Sequence, residues 1–140
     1  MTKSPKILFV DDDRDFLAAQ TAFFRGRGYD VASIDRVEGA LELIAQEKPD
    51  VIVLDLMMEH HDSGFLLGRR IRRDPNMGSV PIIMLSGVAA ATGHQFSADA
   101  AALKEWIQLD AFLDKPVTGR QLCKTIEEKL AARAPIVAAV

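Results

Sequence analysis

The sequence predicts a doubly wound α/β domain, in which helices cover both faces of a mainly parallel, five-stranded sheet. Five short apolar runs alternate with longer amphipathic stretches, which is the element order of an α/β fold. The apolar runs are continuous rather than alternating with polar residues, as expected for strands buried on both faces. With 140 residues, of which 49% are hydrophobic, the chain is long enough for one domain that needs no disulfides.

The elements follow one another with short connections. The predicted strands cover residues 7–10, 29–34, 51–54, 82–85 and 111–113. The predicted helices cover residues 13–27, 35–48, 63–73 and 97–107, and a last stretch that begins after Thr118.

Local capping signals set the predicted helix boundaries. Asp13 is interpreted as the cap of the first helix, and Gly28 as its stop. Asp35 predicts the cap of the second helix, because a carboxylate there is followed three residues later by Glu38. Thr118 is followed three residues later by Gln121, which predicts a capping box at the start of the last helix.

Composition and charge exclude several classes of protein. The net charge of −3, from 17 basic and 20 acidic residues, gives no general attraction to nucleic acid or to an anionic membrane. One basic run, Arg69, Arg70, Arg72 and Arg73, is interpreted as the solvated side of a helix. No apolar run approaches the ~20 residues that span a bilayer, and the single cysteine, Cys123, suits a reducing compartment. We therefore expect a cytoplasmic protein without direct DNA binding or membrane attachment.

Polar residues follow four of the five predicted strands. They are Asp11, Asp12 and Asp13 after the first strand, Asp55 after the third, Ser86 after the fourth and Lys115 after the fifth. In an open parallel sheet, ligands bind outside the carboxyl ends of the strands. Carboxylates that lie close together repel one another unless a cation is present. Mg2+ is a suitable cation, because it binds one or two carboxylates together with a phosphate of the substrate. An aspartate between a metal and a lysine is a credible nucleophile, since aspartyl phosphates are known covalent intermediates.

These strand ends resemble those of the receiver domains of bacterial two-component response regulators. The matching segments are Val10 to Asp13, Leu54-Asp55, Ser86-Gly87 and residues 112–116, of sequence FLDKP. The resemblance covers nearly the whole chain and implies a flavodoxin-like sheet with strand order 2-1-3-4-5. It also implies a receiver over residues 1–133, a short tail over 134–140 and no separate output domain.

The resemblance implies a role for each site residue. Asp55 would accept a phosphoryl group from a sensor histidine kinase or a phosphotransfer protein, and Lys115 and Ser86 would contact the phosphoryl oxygens. The ligands of Mg2+ (or Mn2+) would be Asp12, Asp55, the backbone carbonyl of Met57 and, largely through water, Asp11.

The resemblance further implies a stand-alone switch rather than a metabolic enzyme. Ser86 and Phe112 would move together on phosphorylation and alter a surface that binds a downstream protein, or a second copy in a homodimer. The chain would catalyse only its own phosphorylation and dephosphorylation. The Lys115–Pro116 peptide bond is expected to be cis, as in the family.

Two segments depart from the common family pattern. After Asp55, Glu59 stands where the family usually has proline, and Gly64 lies nine rather than eight residues on. The segment between Ser86 and Lys115 is several residues longer than usual. His60 and His61 are interpreted as part of an exposed polar loop rather than a metal site.

Two alternatives remain open at this point. The first is a small phosphatase of the haloacid dehalogenase type, which also uses an aspartate nucleophile, Mg2+, a hydroxyl and a lysine. Asp11 and Asp13 have the spacing of its acidic pair, but the position of Asp55 and the short chain fit it less well. The second is a receiver fold that serves as an interaction module without phosphotransfer, against which the intact set of Asp, Ser and Lys argues.

Overall fold

The computed structural model of the chain describes residues 4–56, 63–86 and 110–133. The strands are β1 (Lys6–Val10), β2 (Asp30–Ile34), β3 (Val51–Asp55), β4 (Ile82–Ser86) and β5 (Ala111–Asp114). The helices of these ranges are α1 (Arg14–Gly26), α2 (Ala40–Glu47), α3 (Ser63–Arg73) and α4 (Gly119–Arg133). The predicted helix over residues 97–107, the His60–His61 loop and the tail over 134–140 lie outside the described residues. No helix in the described ranges is both long and apolar enough to cross a lipid bilayer.

All strands run parallel, in the order β2-β1-β3-β4-β5. Alternate residues of each central strand point to opposite faces, where two apolar clusters lie. On one face Leu8 and Leu54 pack with residues of α2 and α3, and on the other Phe9 and Val53 pack with residues of α1 and α4. Each fully buried Leu or Phe side chain stabilises the fold by about 1.5–3 kcal/mol. The predicted flavodoxin-like fold, with helices on both faces, is confirmed.

Two of the predicted helix starts are confirmed in atomic detail. Asp13 caps α1, because its Oδ1 accepts a hydrogen bond of 3.0 Å from the backbone N–H of Phe16. At the start of α4, the backbone N–H of Gln121 donates to Thr118 Oγ1 at 3.1 Å, and that of Thr118 donates to Gln121 Oε1 at 2.8 Å. This reciprocal pair is the predicted capping box.

The predicted start of the second helix is wrong. Helix α2 begins at Ala40, after Gly39, which has a φ of +85° and makes no side-chain cap hydrogen bond. The carboxylate of Asp35 instead accepts from Arg14 Nε at 2.8 Å and from Arg36 Nε at 3.1 Å. Two guanidinium groups are stronger partners for a carboxylate than one backbone N–H. Hydrogen bonds from Arg36 and then from Arg14 lower the pKa of Asp35.

The basic run on α3 is not a uniformly solvated face. Arg70 and Arg73 are exposed as predicted, but the side chain of Arg72 is only 10% exposed. Arg72 Nη2 lies 2.7 Å from Asp110 Oδ2, and Arg72 Nη1 donates to the carbonyl oxygens of Gly78 and Val80. Arg72 therefore ties α3 to the residue that precedes β5.

Candidate functional site

Three aspartates meet where β1 and β3 end. These strands are parallel neighbours, so Asp11 and Asp12, which follow β1, lie beside Asp55, the last residue of β3. Each offers one carboxylate oxygen, and these oxygens lie within 4.8 Å of one another. Asp11 and Asp55 are buried, with 2% and 6% of their surfaces exposed, whereas Asp12 is exposed. The sequence prediction that these carboxylates share one end of the sheet is confirmed.

Lys115 brings a positive charge to the carboxylates. Its Nζ lies 2.7 Å from Asp11 Oδ2 and 3.8 Å from Asp55 Oδ2. The ammonium also lies 4.6 Å from the centre of the Phe16 ring. The cluster of three carboxylates thus has this one ammonium beside two of its members, and a divalent cation, which prefers oxygen ligands, would offset the remaining negative charge.

Asp11 is held by its own surroundings. Its Oδ1 accepts from the backbone N–H of Asp13 at 2.9 Å, and its Oδ2 from Lys115 at 2.7 Å. Its backbone N–H donates to the carbonyl oxygen of Ile34 at 3.2 Å. Both carboxylate oxygens thus accept an internal hydrogen bond, which fixes the orientation of the buried group.

Ser86 ends β4 beside Asp55 and is 1% exposed. Its carbonyl oxygen accepts from the backbone N–H of Lys115 at 2.6 Å, which ties the end of β4 to the turn after β5. The Lys115–Pro116 peptide bond is cis. Phe112 pairs with Met84 across β4 and β5 and is half-buried against the α2–α3 face. Met57, predicted to offer a carbonyl to the metal, lies outside the described residues.

Gly64 packs directly against the backbone at the end of β3. Its N–H donates to the carbonyl oxygen of Leu56 at 3.0 Å. A Cβ at this position would lie 2.6 Å from that oxygen and closer still to the carbonyl oxygen of Asp55. Sequence reasoning noted only its displaced position, although a glycine at a helix start after a buried strand is a signal of such close approach.

Phe16 is an apolar residue on the first turn of α1, where a packing role is expected. It does pack against the α1–α4 face, but its ring also contacts the ammonium of Lys115. Its position on the first turn of α1, just after the acidic triplet, is the only sequence signal for this contact.

Comparisons with known proteins agree with this geometry. The family model described as the response regulator receiver domain matches residues 7–127. Protein PilH of Pseudomonas aeruginosa is 29% identical over 126 residues, which are 90% of this chain and 98% of PilH. The DNA-binding dual master transcriptional regulator RpaA of Synechocystis is 33% identical over 113 residues, 80% of this chain but 43% of RpaA. The chain therefore spans about half the length, or less, of some curated relatives that it matches.

Solved structures share the fold over most of the chain. A putative response regulator from Chloroflexus aurantiacus superposes with a TM-score of 0.78 at 29% identity, covering 92% of this chain and 99% of that one. The chemotaxis response regulator CheY4 of Vibrio cholerae, at 23% identity, has a TM-score of 0.78 over 91% of this chain and 99% of its own. The second likeness shows the fold alone, and none of these matches favours a haloacid dehalogenase-type phosphatase. Taken with the family match over residues 7–127, they show that the chain belongs to the response regulator receiver domain family.

Proposed function

We propose that Asp55 accepts a phosphoryl group from a sensor histidine kinase or a phosphotransfer protein, in Mg2+-dependent phosphorelay signalling. The observation that carries the proposal is the convergence of three carboxylates and the ammonium of Lys115 within one pocket. At the amino end of the same sheet, by contrast, Asp50 and Asp110 accept hydrogen bonds from donors that lie next to them. Membership of the receiver family supports the same assignment.

In the proposed reaction, the P–N bond of the donor is exchanged for a P–O bond to Asp55. A carboxylate oxygen of Asp55 attacks the phosphorus of a phosphohistidine, the P–N bond breaks, and the imidazole leaves with the bonding electrons and takes up a proton. Lys115, 3.8 Å from Asp55 Oδ2, stabilises negative charge on the phosphoryl oxygens. Attack by water on the same phosphorus releases phosphate and restores the carboxylate. This is self-modification, not turnover of a metabolite.

The residues fit a magnesium ion by their chemistry. Asp12 and Asp55 offer hard carboxylate oxygens, and Asp11, both of whose oxygens already accept internal hydrogen bonds, is suited to a contact through water. The backbone carbonyl of Met57 would be the fourth ligand. When bound, Mg2+ or Mn2+ neutralises charge on the transferring phosphoryl group.

The output of phosphorylation is a change of surface. The acyl phosphate adds about −1.5 to −2 charge units, and we propose that it draws in the hydroxyl of Ser86 while Phe112 changes rotamer. The altered face binds a downstream protein or a second copy of the chain, not DNA. The receiver spans residues 1–133, with 134–140 as a tail, and acts in the cytoplasm.

Incubation with Mg2+ and acetyl phosphate, followed by intact mass measurement, tests the proposal. The wild type is expected to gain one phosphoryl group, and Asp55→Asn none. Asp50→Asn, a matched change at the other end of the sheet, is expected to retain the adduct, and chelation of Mg2+ is expected to abolish it. Repeated turnover of a phosphomonoester would support a phosphatase instead, and the absence of any adduct in the wild type would support an interaction module.

A further inference from the structure

The ammonium of Lys115 contacts an aromatic ring as well as two carboxylates. Its Nζ lies 4.6 Å from the centre of the Phe16 ring, while its other close contacts are Asp11 and Asp55. We propose that Phe16 is a positioning residue for Lys115, whose ring holds the ammonium on the side of the pocket where Asp55 receives the phosphoryl group. This inference deepens the proposed function and rests on it.

A lysine side chain needs such a constraint because it is flexible. Four methylene groups separate the ammonium from the backbone, and the charge itself has no preferred direction. The side chain of Lys115 is 21% exposed, so part of its hydration has been lost. The negative face of an aromatic ring attracts a cation, and the attraction grows as water is removed. An aliphatic side chain of similar size would fill the same space without attracting the charge.

The ring is itself fixed from two directions. The carboxylate of Asp13 accepts from the backbone N–H of Phe16 at 3.0 Å, so the cap of α1 sets the position of the first turn. The ring also packs against the buried cluster that includes Leu17 and Phe24. The acidic triplet after β1 therefore acts twice on Lys115, directly through Asp11 and indirectly through the residue that Asp13 caps.

Helix α1 provides a matched control about two turns further along. Phe23 lies under the guanidinium of Arg27, with 4.7 Å between Arg27 Cζ and the ring centre. It packs against the same apolar cluster as Phe16 and lies against Gly119 at the start of α4. Phe23→Leu removes the same kind of contact from the same helix, but not from the pocket.

The test compares Phe16→Leu, Phe16→Tyr and Phe23→Leu by their second-order rate constants for phosphorylation by acetyl phosphate. Phe16→Leu is expected to lower the rate constant about 3- to 10-fold, the range expected for a partly desolvated cation–π contact. Phe16→Tyr, which keeps the ring, and Phe23→Leu are expected to stay within about twofold of the wild type. Urea unfolding of each variant establishes that it is folded.

A second readout does not depend on activity. The ring current of Phe16 shifts the NMR signals of the Lys115 ε-methylene protons upfield in the wild type and in Phe16→Tyr, and the shift is lost in Phe16→Leu. Lys115→Arg assigns the signal. An unchanged rate constant and an unmoved signal in Phe16→Leu would overturn the inference, as would a Phe16→Tyr variant as slow as Phe16→Leu. If the wild type gained no phosphoryl group, the proposed function would fail, and the NMR comparison alone would still decide the positioning.

Discussion

The two ends of the sheet both carry aspartates, but they use them differently. At the amino end, Asp50 Oδ2 accepts from the backbone N–H of Lys6 at 2.8 Å. Asp110 Oδ2 accepts from the backbone N–H of Ile82 at 2.8 Å and from Arg72 at 2.7 Å. At the carboxyl end, three aspartates offer oxygens within 4.8 Å of one another, and the ammonium of Lys115 lies against two of them, Asp11 and Asp55. Single carboxylates that each accept hydrogen bonds from neighbouring groups stabilise the fold, whereas three carboxylates gathered in one place form a candidate binding site for a cation.

The largest effect is expected from the ion pair at the amino end. Arg72→Met removes the guanidinium that pairs with Asp110, whose carboxylate also accepts from the backbone of β4. We expect the free energy of unfolding to fall by about 2–3 kcal/mol. The loss is smaller than for a fully buried pair because Asp110 is partly exposed. Arg70→Met, on the exposed side of the same helix, is expected to change it by less than about 0.5 kcal/mol. Urea unfolding measures both. Equal losses in the two variants would contradict the structural role of Arg72.

The second prediction concerns the packing of the backbone at the carboxyl end of the sheet, rather than the charges there. Gly64→Ala places a methyl group against the carbonyl oxygens of Asp55 and Leu56, so either α3 or the end of β3 must shift, at a cost of about 2 kcal/mol. We expect slower phosphorylation of Asp55 as well. Gly26→Ala is the control, because a Cβ there meets nothing within 4 Å. If Gly64→Ala were as stable as the control, the close approach of α3 to Asp55 would be wrong.

Neutralising one aspartate at each end of the sheet is expected to change the free energy of unfolding in opposite directions. Without divalent cations, Asp12→Asn relieves repulsion at the carboxyl end and raises the free energy of unfolding by about 0.5 kcal/mol. Asp50→Asn weakens a paired carboxylate and lowers it by about 1 kcal/mol. Thermal unfolding in a chelating buffer, then with Mg2+, checks both. Changes of the same sign would remove the distinction between the two ends.

The smallest effect concerns Asp35, which lies beside the carboxyl end but has two cationic partners. Its pKa is lowered in the folded state by hydrogen bonds from Arg36 and Arg14. Its contribution to stability is therefore present above the unfolded-state pKa of about 3.9 and is lost as the pH falls through the lower folded-state value. We expect Asp35→Asn to be slightly less stable than the wild type at neutral pH, and the difference to vanish in acid. A difference that grew in acid would contradict the assignment.

The fold and the composition of the site were readable from the sequence because both depend on short segments. Continuous apolar runs such as Val51 to Leu54 are typical of buried parallel strands, and parallel strands bring their carboxyl ends to one edge. Asp55 and Lys115 could therefore be placed at the same edge without knowing any distance between them.

The errors came from partners distant in the chain. Asp35 has a local capping pattern, but Arg14, 21 residues away, competes for its carboxylate. Arg72 belongs to a run of arginines that indicates a solvated face, yet its partner Asp110 lies 38 residues further on. Which aromatic ring faces Lys115 likewise depends on how the turn after β5 approaches α1, which no rule based on neighbouring residues in the sequence can predict.

The central claim is that the carboxyl end of the sheet directs phosphorylation to one aspartate among several. Reductive trapping of the acyl phosphate after reaction with acetyl phosphate and Mg2+, followed by peptide mass spectrometry, identifies the modified residue. The account predicts modification at Asp55 alone, with Asp11, Asp12, Asp50 and Asp110 unmodified. Modification of Asp11 or Asp12 in place of Asp55 would contradict it.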